Sequence, residues 1–189
     1  RSTLFPYTTL FRSQPLYGDA KSHATSGARQ AITNGATKAL TEQLGQAFGP
    51  GFNREIPPID ATLEPGANTV GGIRFEIIDA GDSYDIEIEA INAIYTHMLG
   101  ADTHSILAGQ DHMDAVLASL QNMQAKGYQL ILSSHHRPEV QADVAAKIAY
   151  VKKVRELAAH SSGRDDFVAK VKEAYPDYAG LNYLDMTAG

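Results

Sequence analysis

Residues 128–136 read Tyr128-Gln129-Leu130-Ile131-Leu132-Ser133-Ser134-His135-His136. An apolar run this short, stopped by Gly127 before it and by two serines and two histidines after it, predicts a buried strand over 128–132. Upstream, Val116, Leu117, Leu120 and Met123 recur at helical spacing and predict a helix over 111–126 that Gly127 ends. Downstream, Pro138 opens a long predicted helix to about residue 160. Another over 165–174 ends ahead of Tyr175-Pro176. A strand held between helices belongs to a layered α/β fold.

Further toward the N-terminus the pattern continues. Gly71-Gly72 reads as a turn opening a β-branched strand over 73–78, and Ala80-Gly81-Asp82 turns the chain again. Ile86, Ile88 and Ala90 alternate with Glu87 and Glu89, the period-two pattern of a half-buried strand. Residues 91–95 extend it or follow it as a second short strand. Residues 53–65 are rich in turn formers, with Ile56-Pro57-Pro58 extended. Ala28, Ile32, Ala36, Ala39, Leu40, Leu44 and Phe48 predict a helix over 26–48, interrupted at Gly35 and closed by Gly49-Pro50-Gly51. The expected core is made by strands 73–78, 86–95 and 128–132, with helices 111–126 and 138–160 on one face. An apolar surface should be left uncovered at an incomplete edge.

Composition narrows the function classes. The chain has 189 residues, 43% hydrophobic and 20% charged, which excludes a disordered chain, a collagen and a simple coiled coil. Its apolar runs fall far short of the about 20 residues a membrane helix needs, so no membrane partner is expected. A net charge of -6 gives no basis for sequence-independent nucleic-acid binding. Without cysteine there is no disulfide framework, thiolate zinc site or cysteine nucleophile.

Residues 3–13, TLFPYTTLFRS, match one translated frame of a widely used sequencing adapter over eleven positions. Residues 1–13 are therefore read as a non-native scar and 14–189 as a partial domain; the alternative is a genuine aromatic β-hairpin arm. Setting aside Arg1 and Arg12, the 16 basic residues become 14 against 22 acidic, a balance of -8. The scar is expected to be peripheral, and the native chain to continue upstream. Oligomeric state stays open, as does the compartment, periplasmic or cytoplasmic.

Chemistry is concentrated in the seven histidines. His97 and His104 follow the strand ending at Tyr95, and His135 and His136 follow the strand over 128–132. Loops at the carboxyl ends of strands are where α/β folds build sites. Imidazole is the commonest metal ligand, and Asp82 or Asp102 would complete a shell suited to zinc, iron or manganese. The plainer reading makes them solvated loop histidines or caps. His23, His112 and His160 read as surface residues, with His112 beside Asp111 and Asp114 in a capping arrangement. Glu87 and Glu89 read as a solvated face. Phosphate-loop, nucleophile-elbow and His-Glu-x-x-His patterns are absent from the sequence.

From Gly72 to His135 the chain resembles the C-terminal half of a metallo-β-lactamase-fold hydrolase. Gly72-Ile73-Arg74-Phe75-Glu76-Ile77-Ile78 is similar to the strand leading to that family's ligand-bearing turn. Ala80-Gly81-Asp82-Ser83 matches the turn, with Asp82 where histidine is usual. The 97–104 segment matches the region of the bridging aspartate, with either His97 or Asp102 as substitute. Ser134-His135 matches the terminal Gly-His. The tail, Tyr175-Pro176-Asp177-Tyr178 followed by Asn182-Tyr183-Leu184-Asp185, resembles a bacterial branch of the superfamily, so the likeness spans residues 14–189.

The resemblance implies part of an αββα sandwich whose N-terminal half is missing, and a metal set drawn from Asp82, His97, His104 and His135, with His104 or Asp102 as a fourth ligand or an orienting partner. It implies zinc or another divalent cation, a small-molecule substrate for the full-length protein, and hydrolysis by metal-activated water. The signature His-x-His-x-Asp-His loop does not occur in this sequence, so the chain alone is expected to be an inactive hydrolase fragment. The competing expectation is a degenerate, non-catalytic member or binding module of the same fold.

Overall fold

The computed structural model describes residues 22–56, 58–79 and 84–188. The 1–13 reading and Asp82 lie outside these residues. The described chain falls into two units, residues 22–86 and residues 87–188.

The first unit begins with β1 (His23–Thr25), paired in parallel with β2 (Ala61–Leu63). Between them lie α1 (Ser26–Thr33) and α2 (Ala36–Phe48). The single interrupted helix expected over 26–48 is two helices, because Asn34 caps the first and Gly35 adopts φ 84°, which only glycine takes readily. A strand pair was not expected in the turn-rich 53–65 segment; β2 forms at its end. β3 (Gly66–Val70) and β4 (Ile73–Asp79) make an antiparallel hairpin in register Val70↔Ile73 to Gly66↔Ile77. Its turn is Gly71-Gly72 with φ 58° and 80°, the positive pair that a tight hairpin turn requires.

β5 (Tyr84–Ile88) carries the chain into the second unit. The strand expected to run on through Ala90 stops there: Glu89–Ile91 is a 3₁₀ turn and Asn92 sits in the left-handed region at φ 46°. β6 (Ala93–Thr96) follows, then α3 (Gln110–Lys126), β7 (Leu130–Ser133), α4 (Gln141–Ala159), α5 (Arg164–Ala174) and α6 (Leu181–Thr187). Pro138 does not open α4. Glu139 instead bridges back to Ile131, and the helix starts at Gln141, where the Asp143 carboxylate accepts the Val140 amide at 2.8 Å.

β6 and β7 pair in parallel, Ala93↔Leu130 through Thr96↔Ser133. Ile94 and Ile131 are buried, and so are Met113, Leu117, Leu120 and Met123 of α3 and Val144, Ile148, Val151 and Val154 of α4. The spacing of each helical set, three or four residues apart, lays one stripe of each helix into the core. Among the described residues, no helix is long and apolar enough to cross a membrane.

Candidate metal centre at the ends of two parallel strands

The β6–β7 ladder runs one step beyond the strands, with the Ser134 amide donating to the His97 carbonyl at 3.2 Å. Parallel strands deliver their following loops to the same end, so His97, one residue past β6, meets His135, two residues past β7. Their rings make a T-shaped contact, 4.8 Å between centroids and 82° between planes. Both side chains are exposed and can be approached from solvent. Beside them the Tyr95 hydroxyl is hydrogen-bonded to the buried Ser134 hydroxyl. Burial, then the neighbouring His97 and His136, hold the His135 pKa below its usual value. That shift favours the neutral imidazole, the form that binds metal.

The segment after His97 is fastened from below. Gly100 and Ala101 amides donate to the Glu139 carboxylate at 3.2 and 2.8 Å. The Lys147 ammonium donates to the Gly100 and Thr103 carbonyls at 2.9 and 2.6 Å. Glu139 and Lys147 are 2% and 3% exposed. Burial lowers the Lys147 pKa to about 8, although Glu139 and Asp102 oppose it. Gly100 has φ 60°, and a Cβ there would lie 2.8 Å from the His136 Nε2. Asp102 is exposed, with the His136 Nδ1 and the Arg137 guanidinium each 3.8 Å from one of its oxygens, both beyond hydrogen-bond reach.

His104 does not join the pair. It is fully buried, with Nδ1 3.0 Å from the Tyr150 hydroxyl. The same hydroxyl accepts from the Ser105 amide at 3.4 Å. Nε2 is buried and finds no partner among the described residues. Tyr150, Tyr175 and Tyr178 form a cluster on which the His104 ring rests, 5.8 Å from Tyr150 and 5.6 Å from Tyr178. Burial chiefly lowers the His104 pKa, with Lys147 and Lys172 adding to it, and pushes that of Tyr150 to about 12. His104 is therefore packed in the core against Tyr150 and Tyr178, away from solvent.

Asp82 lies outside the described residues, and among the described residues no group of three or more histidine or carboxylate side chains could hold an ion together. His23, His112 and His160 are exposed, and His112 accepts the Ala108 amide at 2.9 Å ahead of α3. Glu87 is more than a solvated face: it accepts from the Tyr128 hydroxyl and pairs with Lys126 at 3.2 Å, which together hold its pKa down against burial. Glu139, Lys147 and the Tyr95–Ser134 bond were not foreseen. Lys147 did carry a signal, because it shares the helical stripe of Val144, Ile148 and Val151, where a charge needs a buried partner.

No family model matches the chain, and no curated protein is similar to it. Solved structures are. The stereoselective inverting sec-alkylsulfatase from Pseudomonas sp. aligns over 93% of this chain and 37% of its own, at 12% identity and TM-score 0.52. A metallo-beta-lactamase family protein from Thermus thermophilus aligns over 89% and 64%, at 14% identity and TM-score 0.50. A metallo-beta-lactamase from Pontibacter korlensis aligns over 77% and 75%, at 13% identity and TM-score 0.47. The chain thus spans about a third of the sulfatase and under two thirds of the Thermus protein. It has the mixed α/β metallo-β-lactamase fold.

Proposed function

We propose that the chain carries part of the metal site of a metal-dependent hydrolase, with His97 and His135 as two imidazole ligands to zinc or a similar divalent cation. The observation that carries this reading is the contact of these two rings at the carboxyl end of a parallel strand pair. Two exposed imidazoles are donors zinc favours. They are half a shell, since zinc sites take three or four protein ligands. Asp102, on the His97 loop, is the carboxylate available to add to it. When bound, the cation supplies Lewis acidity that polarises a carbonyl or phosphoryl oxygen of a small-molecule substrate. The chain's own residues align the donors: Ser134, bonded to Tyr95 by its hydroxyl and to His97 by its amide, fixes the approach to His135.

Zinc titration by calorimetry tests this. His97→Ala and His135→Ala should each weaken binding by about 10-fold or more, on the scale of losing a metal-site contact, while His160→Ala should leave it unchanged. Equal affinity in all four proteins contradicts the proposal. The second reading, a non-catalytic use of the same fold, is favoured by the two-ligand set among the described residues. It expects no zinc binding by the unaltered chain.

A further inference from the structure

Both histidine-bearing loops end on one residue. The loop holding His135 and His136 is closed by the backbone of Glu139, whose amide and carbonyl both bond Ile131, at 2.9 and 2.8 Å. The loop after His97 is held by the side chain of the same residue, through the amides of Gly100 and Ala101. Lys147 grips the opposite side of that peptide unit through the Gly100 and Thr103 carbonyls. The carboxylate and the ammonium are thus joined through the backbone they hold, with no direct bond between them among the contacts of either.

This is costly chemistry for a surface loop. A buried carboxylate and a buried ammonium each lose hydration, and the arrangement is worth having only where every donor and acceptor is met. Gly100 is where the two grips coincide, and its positive φ and lack of a Cβ let the His136 ring lie directly against it. A loop anchored only by packing would leave the spacing of His97 and His135 free to drift.

We infer that Glu139 is a positioning residue that sets the His97–His135 spacing by clamping both loops at once. Its geometric content stands without a metal, and its consequence for zinc rests on the function proposed above. A glutamine in its place could still accept one amide. Its NH₂ would then face the other amide donor, and Lys147 would lose its countercharge.

The test is the cross-ring nuclear Overhauser contact between His97 and His135 in the full chain, measured without metal beside far-UV circular dichroism. The unaltered protein should show it, because the centroids are 4.8 Å apart. Glu139→Gln should keep the helical signal and lose the contact. Val151→Ala, a buried truncation away from the loops, should keep both. The contact persisting in folded Glu139→Gln overturns the inference. Should that variant not fold, Glu139→Asp takes its place, keeping the charge and withdrawing it by one methylene, and the same two outcomes apply. If neither folds, Glu139 is a requirement of the fold itself, and the positioning role is wrong. Absence of zinc binding by the unaltered chain would instead sink the proposed function and leave this result standing.

Discussion

Residues 22–86 and residues 87–188 are both built from helices and strands, yet only the second unit closes a hydrophobic core. Among the described residues, every buried hydrophobic side chain except Ile77 belongs to 87–188. In 22–86, Leu40, Phe48 and Ile73 are exposed, and specific polar contacts do the tying: Arg29 to Thr62, Arg54 to the Gly45 carbonyl at 2.8 Å, and the Ser22 amide to Asp60 at 2.7 Å. Regular backbone structure and a core are separate achievements. Hydrogen bonds near water add only about 0.5–1.5 kcal/mol each, so the second unit should dominate the stability of the chain.

Truncation should break this comparison if it is wrong, and it carries the largest effect. Ile131→Ala removes a fully buried side chain and should cost about 2–5 kcal/mol in urea unfolding. Leu40→Ala, at a side chain 55% exposed, should stay within about 0.5 kcal/mol. A comparable loss at both sites would mean that 22–86 hides a core of its own. Hydrogen exchange sharpens the contrast: amides of β6, β7 and α4 should be protected at least about a hundredfold more than those of β1 and β2, since local opening is easiest where burial is least. Uniform protection would contradict it.

Within 87–188 the next effect is smaller and local. Gly100→Ala combines a positive φ with a Cβ that would meet His136, and should cost about 1–2 kcal/mol and move the His136 ring resonances. Gly109→Ala, at φ 86° and ψ -179° but with open space around it, should cost a backbone penalty without moving the His136 ring. Identical ring shifts in the two variants would remove Gly100 from the support of the site.

The smallest effect is in pH. Folding holds the His104 pKa below its ordinary 6.5. The unfolded chain therefore takes up a proton first as pH falls, and stability that is whole above 6.5 is lost progressively below it. Chemical denaturation at stepped pH should show this slope, reduced in His104→Gln. An unchanged slope would assign the acid sensitivity elsewhere, His135 being the other histidine shifted the same way.

The core was the legible part of this sequence. A short strand laid against the core reads as an apolar run, and a helix on a core must repeat every three or four residues. Hence β7 and α3 fall within two residues of the expected bounds. β3 was invisible because Gly66, Ala67 and Asn68 carry little strand signal, and its existence depends on the register with β4. α6 was missed because seven residues give too few turns to establish a period. The start of α4 was misplaced because Pro138 is as compatible with the Glu139–Ile131 bridge as with a helix.

The site followed the same division. That His97 and His135 share an end follows from parallel strands, which sequence order predicts. That His104 turns inward to Tyr150 depends on packing between segments 46 residues apart, which local pattern does not carry.

The central claim is that His97 and His135 bind one divalent ion. X-ray absorption at the zinc edge of the zinc-loaded full chain tests it most directly, because imidazole nitrogens at about 2.0–2.1 Å give a multiple-scattering signature that oxygen ligands lack. The account predicts two imidazoles per zinc, falling to one in His135→Ala. A shell of oxygens alone, or two imidazoles that persist in His135→Ala, would contradict it.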